Sequence, residues 1–352
     1  MELIAAEVGL VPCREYHRRI LKGRVEVLCS ALSLRVSPGS RVLLKPNLVT
    51  AVRNKGLACT HPEVVAAVAE WFLDQGATVR VGDSPAFGTA LGVMAACGIS
   101  AALKGLPVTM VNFAEPQPVR LASGLSVGVA RAIGECDLLV NLPKIKAHGQ
   151  LYLSLAVKNY FGAVVGFRKP WLHARYGDID NRFEAMLVDL LAVLPGGITL
   201  ADGIMAMHGD GPVAGKPFPL HLLAAGLNPV ALDTALIAVL GLPSEASPVW
   251  RECLRRKLAG STLSELSFPL AGVEEVAARG FQAPARLKPV SFHPWRLLRG
   301  AIKTRYYTWR TLDHAREVRQ LLAVLLAALL EELNRRRELT ALPQIASPGR
   351  NT

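Results

Sequence analysis

Cysteine is sparse in this chain and never paired at short spacing. The six residues, Cys13, Cys29, Cys59, Cys97, Cys136 and Cys253, contain no CxxC. That pattern argues against a ferredoxin-type cluster, a zinc ribbon or a disulfide scaffold, so no intrinsic iron–sulfur cluster is expected. Nucleotide signatures are absent as well. No GxGxxG follows an apolar strand, and the Gly209-Asp-Gly-Pro loop lacks the GK[ST] of a Walker motif. A hydrolase serine elbow, GxSxG, is missing too. Aromatic residues make up only 6% of the chain. A nucleic-acid surface of stacked rings is therefore not expected. No apolar run reaches the length of a membrane span, and the N-terminus lacks the profile of a signal peptide, so a cytoplasmic location is expected.

What is present is a hydrophobic, well-packed composition. Of 352 residues, 51% are hydrophobic and 19% charged, enough to bury a large core. The formal net charge is +12, which favours an anionic partner. Much of the arginine lies in the C-terminal third. There Leu321 to Leu330 forms a ten-residue apolar run inside an expected helix over 314–339. That helix suits homodimer formation or peripheral membrane contact, being too short in its apolar part to span a bilayer.

Strand and helix patterns alternate along the first two thirds. An opening strand at Met1–Val8 precedes a basic helix to about Leu34, then a strand at Arg41–Lys45. Thr60-His61-Pro62-Glu63 opens a helix that Gly76 ends, and Thr78–Asp83 is the next strand. A helix over 88–104, a strand at Val108–Phe113, a helix at Val129–Cys136 and a strand at Asp137–Leu142 follow. Arg182–Leu194 reads as a helix, Gly197–Asp202 as a strand and Gly203–Pro212 as a glycine-rich loop. A strand at Leu220–Leu227, a helix from Asn228, and helices at Val249–Lys257 and Val273–Arg279 complete the pattern. The fold class expected is α/β, a mostly parallel doubly wound sheet with helices on both faces and a helical C-terminal extension. Composition shifts near Gly241, dividing an α/β domain at 1–243 from an arginine-rich helical region at 244–352.

The stretch Asn141–His173 carries Lys144, Lys146, His148, Lys158, Arg168, Lys169 and His173 without a single acid. Cations repel one another unless something anionic sits among them. Polar clusters also close the other strands: Lys45 and Asn47, Asp83 and Ser84, and Asp202. In a parallel sheet these ends share one crevice, where α/β proteins keep their ligands. Lys45, Asn47, Ser84, Lys144, Lys158, Asn159, Lys169 and Gly211 are therefore candidates for holding a small carboxylate or phosphate. His148 and Lys146 are candidates for proton transfer. Asp83 and Asp202 could ligate a divalent metal together; capping after a strand is the bland alternative. Each lysine could equally be a solvated surface group, and His173 a surface residue.

Seven ordered motifs resemble the DUF362 family. They are KPNLV (45–49), THPEVV (60–65), VGDSP (81–85), NLPKIKAHG (141–149), VKNYFG (157–162), Arg168-Lys169 with His173, and DGI…GDGP from Asp202 to Gly215. Many members carry ferredoxin-type cysteines that this chain lacks, and Ala147 stands where the family usually has threonine. The resemblance implies the sheet and the position of the site but gives no reaction. Two readings stand: an enzyme acting on a small anionic metabolite, or a non-catalytic accessory protein handling a metal, an iron–sulfur cluster or a redox partner.

Overall fold

Apolar residues at alternate positions build the centre of the molecule, in a computed structural model describing residues 6–49, 57–85, 88–165 and 168–290. The chain opens with β1 (Val8–Pro12), α1 (Arg18–Ala31), β2 (Arg41–Pro46), α2 (Pro62–Asp74) and β3 (Thr78–Asp83). It continues through α3 (Ala90–Cys97), α4 (Ile99–Ala102), β4 (Val108–Asn112), β5 (Pro116–Arg120), β6 (Ser126–Ala130) and α5 (Arg131–Gly134). The basic stretch holds β7 (Leu138–Leu142), β8 (Lys144–His148), β9 (Tyr152–Ser154), α6 (Ala156–Asn159) and α7 (Arg168–Tyr176). Then come α8 (Arg182–Asp189), β10 (Thr199–His208), β11 (Lys216–Phe218), β12 (Leu222–Gly226), α9 (Pro229–Val239) and α10 (Pro248–Arg255).

The fold is mixed α/β. One sheet runs β1-β12-β10-β7-β2-β3-β4, with β8 and β11 paired to β10 and β9 paired to β8. Strands β4, β3, β2, β7 and β10 are mutually parallel, while β12 lies antiparallel between β10 and β1. Because strand side chains alternate, Val42, Leu44, Val140 and Leu142 enter one core with the buried residues of α1 and α2. Leu43 and Leu139 enter the opposite core with Phe161, Phe183 and Met186. A third cluster joins α9 to β12 through Leu222, Ala224, Leu232 and Leu236. Burial on both faces explains why these strands read as unbroken apolar runs.

Several expectations shift. Among the described residues the first strand is Val8–Pro12, beyond the expected Met1–Val8, of which residues 1–5 lie outside them. The helix expected over 88–104 breaks at Gly98, whose φ of 91° lies in the left-handed region. Most of the helix expected at Val129–Cys136 is instead the tail of β6 and a single turn; Val127 and Val129 are buried from a β5–β6 hairpin. The glycine-rich loop is strand as far as His208, because β11 and β8 supply partners to that part of β10. Only one tight turn forms at Glu274–Val276 within the segment expected as helix. The compact unit runs Met1–Ser291, and Val249, Cys253 and Phe281 are part of its cores. The boundary read from composition at 243/244 thus falls inside this unit. The expected 314–339 helix lies outside the described residues. Among the described residues no helix is long and apolar enough to cross a membrane.

Candidate functional site

The C-terminal ends of β2 and β3 stand side by side and place Lys45 next to Asp83. Their Nζ–Oδ1 distance is 2.9 Å, and both side chains are buried. The other Asp83 oxygen accepts the Leu48 N–H at 3.0 Å. Burial lowers the Lys45 pKa and Asp83 opposes it. Gly162 leaves room for this pair, since a Cβ there would overlap Asp83 Oδ1 and Lys45 Nζ.

Strand β8 carries the next cations. Alternation puts Ile145 and Ala147 into an apolar cluster and sends Lys144, Lys146 and His148 to the other side. All five residues are buried. Lys146 Nζ donates to Asn47 Oδ1 at 2.5 Å and to the Ala58 carbonyl at 2.7 Å. From Asn47 a relay of side-chain amides runs inward. Asn47 Nδ2 donates to Asn159 Oδ1, Asn159 Nδ2 to Asn141 Oδ1, and Asn141 Nδ2 to the Ala156 carbonyl. The lysine at one end and the carbonyl at the other fix the orientation of every amide.

Lys158 ends α6, and α7 brings Lys169 and His173 on one face at i, i+4 spacing. Phe161 is their common platform: Lys158 Nζ lies 5.3 Å from its centroid, Lys169 Nζ 5.7 Å and the His173 ring 5.7 Å. Lys169 Nζ donates to the Ser84 carbonyl. His173 is buried rather than exposed, with Nδ1 3.1 Å from the Val290 carbonyl.

These charges perturb one another. Burial, the largest cause in each case, brings Lys146 to about 7, Lys158 to about 8 and Lys169 to about 7. The carboxylate acting on all three is Asp83, already paired with Lys45. Burial, then Lys158, pulls His173 down to about 3. His148 is held well below 6.5 by burial, Lys158 and Lys146. Its Nδ1 accepts the backbone N–H groups of Gln150 and Leu151, both at 3.2 Å. The ring proton must then sit on Nε2. His148 is a neutral hydrogen-bond donor, not the general base its residue type suggested.

A second network is already neutral. Asp202, on β10, accepts from Tyr16 Oη at 2.9 Å, Lys144 Nζ at 2.8 Å and the His61 N–H at 2.9 Å. Lys144 also donates to Tyr16 Oη, and the Tyr16 and His61 rings stack at 3.6 Å. Lys144 is therefore neutralised by its own carboxylate, Asp202, rather than by Asp83. The pairing of Asp83 with Asp202 on one metal does not arise, because β2 and β7 separate β3 from β10. Adjacent strands lie about 4.8 Å apart, which spreads the two strands over about 14 Å. Among the described residues no group of three or more His, Cys, Asp or Glu side chains could hold a metal ion. Gly211 packs its backbone on β8: its carbonyl accepts the Gly149 N–H at 3.1 Å, and a Cβ would overlap the Ala147 carbonyl.

The structure thus gathers Lys45, Asn47, Asp83, Ser84, Lys146, His148, Lys158, Asn159 and Lys169, and sets Lys144, Asp202 and Gly211 into structural roles. Sequence reasoning missed Tyr16, whose partner Asp202 is 186 positions away. It also missed Asn141 as a member of the relay, and the pattern Lys-Ile-Lys-Ala-His, whose strict alternation marks a half-polar strand.

A family model described as "Domain of unknown function (DUF362)" matches residues 42–238. The thylakoid-associated protein sll1697 of Synechocystis sp. is 38% identical over 272 residues, covering 77% of this chain and 84% of that protein. Among solved structures, the lactate racemase apoprotein of Thermoanaerobacterium thermosaccharolyticum shares 13% identity at a TM-score of 0.43, over 66% of this chain. A Thermotoga maritima protein shares 12% identity at a TM-score of 0.36, over 62% of this chain. The chain spans 57% of the length of each of these two structures.

Proposed function

Since the chain belongs to the DUF362 family, whose function is undefined, we propose from its own side chains that it is an enzyme binding a small anionic metabolite among Lys146, Lys158 and Lys169. One observation carries this reading. Three lysine amines lie about a Lys45–Asp83 pair that is already neutral, and among the described residues no second carboxylate is paired with them. Clustering like charges away from water is costly. A carboxylate or phosphate among them offsets that cost and draws their pKa values back up. Lysines serve such a ligand as point charges, while neutral His148 offers a hydrogen bond to a substrate oxygen.

The name of the Synechocystis relative associates it with thylakoids, and a formal net charge of +12 favours anionic membrane surfaces. Peripheral membrane contact therefore belongs to the proposal, beside the cytoplasmic location expected from sequence.

Thermal denaturation at low ionic strength tests the ligand. Inorganic phosphate and small mono- and dicarboxylates should raise Tm by several degrees, as a ligand specific to the folded state does. Replacing Lys158 and Lys169 together by methionine should remove that response. A response unchanged in the double variant would count decisively against the site.

A further inference from the structure

Five lysines meet near the strand ends, and four of them are committed. Lys45 is paired with Asp83, and Lys144 with Asp202 and Tyr16. Lys146 donates to Asn47 and Ala58, and Lys169 to the Ser84 carbonyl. Those four side chains are also buried, at 0%, 1%, 1% and 5% exposure respectively. Lys158 differs on both counts. It is only half-buried, and among the described residues its Nζ has no hydrogen-bond acceptor and no carboxylate, only the face of Phe161 at 5.3 Å. A ring face is a weak partner, worth about 0.5–2 kcal/mol to an ammonium.

Lys158 is also the charge that its neighbours share. It is the first charged influence on both His148 and His173, and it acts on Lys146 and Lys169 as well. An amine held beside other cations and partly out of water gives up its proton more readily, so a larger fraction is in the nucleophilic form near neutral pH than for an ordinary lysine.

We propose that Lys158 is a covalent catalytic residue: its Nζ attacks the carbonyl carbon of an anionic oxo acid or a phosphorylated aldehyde or ketone, whose acid group rests on Lys146 and Lys169. The inference rests on the anion-site reading and deepens it by naming the substrate class. The balance is closed. The nitrogen lone pair forms the C–N bond, and the carbonyl π pair moves to oxygen. A proton passes from nitrogen to that oxygen, giving a carbinolamine. The C–O bond then breaks, water leaves with the second amine proton, and an imine remains. No oxidant or co-reactant is consumed. The resulting imine withdraws electrons from the adjacent carbon, so the chemistry that follows is cleavage or proton exchange at that carbon.

Reductive trapping tests this directly. The full-length protein is incubated with pyruvate, oxaloacetate or dihydroxyacetone phosphate and reduced with borohydride, and its peptides are mapped by mass. The expected result is one adduct on Lys158, formed at least tenfold faster than on exposed Lys104 or Lys216, and blocked by excess inorganic phosphate. Lys158→Arg should abolish it. If phosphate and carboxylates raise Tm but no Lys158 adduct forms with any carbonyl, the covalent role is overturned and the anion site stands. An adduct spread over surface lysines also overturns it. No adduct together with no thermal response removes both readings. The wild-type peptide map is decisive even if the arginine variant fails to fold.

Discussion

Asp83 holds the least replaceable position among the side chains of the site. It forms an ion pair with Lys45 and accepts the Leu48 N–H, and it is the counter-charge felt by Lys146, Lys158 and Lys169. Removing one member of a buried pair strands the other, at a cost of about 3–5 kcal/mol. Asp83→Ala should therefore lower stability by that amount in urea denaturation. A double change, Lys45→Met with Asp83→Leu, should cost clearly less, because apolar groups of similar volume leave no stranded charge. If the single variant proves as stable as the parent, Lys45 is not held by Asp83 as described. His148 acts at the same scale. Two backbone donors at its Nδ1 leave it one proton to offer and none to accept. His148→Gln, which keeps a side-chain N–H donor, should preserve ligand response better than His148→Ala.

Short elements, more than long ones, position the lysines. The four-residue helix α6 carries Lys158 and Asn159 yet cannot be stable alone. Asp233, near the start of α9, holds it by accepting the Ala156 N–H at 2.7 Å and the Val157 N–H at 3.2 Å. Asp233→Ala should lower stability by about 1–3 kcal/mol and weaken the phosphate response, since two buried donors lose their acceptor. Asp233→Asn should cost less. If Asp233→Ala leaves both stability and phosphate response unchanged, α6 does not depend on that cap. Gly162→Ala should be more severe than an exposed glycine change, because its methyl enters the Lys45–Asp83 pair. Elements of this kind also mark where the sequence stops being legible. Strands β2, β3 and β7 and helix α2 announce themselves through apolar runs, His61 and Pro62 at the cap, and the turn at Gly76. So does the clustering of Lys45, Asp83 and Lys146 at strand ends, which follows from parallel topology alone. The burial of strand β8 does not, whatever its alternation, since lysines seldom line a buried strand. Nor does the division of the cations: nothing local to Lys144 says that Asp202 and Tyr16 will neutralise it. Those partners meet only when β8 pairs with β10 and the segment between β1 and α1 folds across.

At the scale of the whole molecule, the buried cations leave a signature in how stability varies with pH. Lys146, Lys158 and Lys169 titrate near 7, 8 and 7 in the folded protein, against about 10.4 in an unfolded chain. Between those values the unfolded state binds more protons, so stability rises with pH there. In sign, their full contribution is present above about pH 10 and is lost as pH falls toward 7; below that the penalty is constant. Asp233 acts the other way, because burial raises it to about 7. Its contribution is complete below about pH 4 and is lost as pH rises to 7. His173, brought down to about 3, opposes Asp233 over much of that range. His148, held well below 6.5, adds to His173, so the lower window should not fall with pH, and the upper one should climb. Tm of the free protein should increase from pH 7 to 8.5; above that the buried thiols of Cys29, Cys136 and Cys253, whose pKa values burial raises, favour the unfolded chain and oppose the climb. A saturating anion keeps the lysines protonated, so the climb should flatten or reverse in its presence. Net charge also falls over this range, and relief of general repulsion could produce a similar slope. The Lys158→Met, Lys169→Met variant separates the two causes, since it removes titrating groups at the site but leaves the rest of the surface charge in place. A climb that persists in that variant, or a free protein whose Tm falls from pH 7 to 8.5, would show that these lysines are not held in the depressed state on which the nucleophilic amine depends.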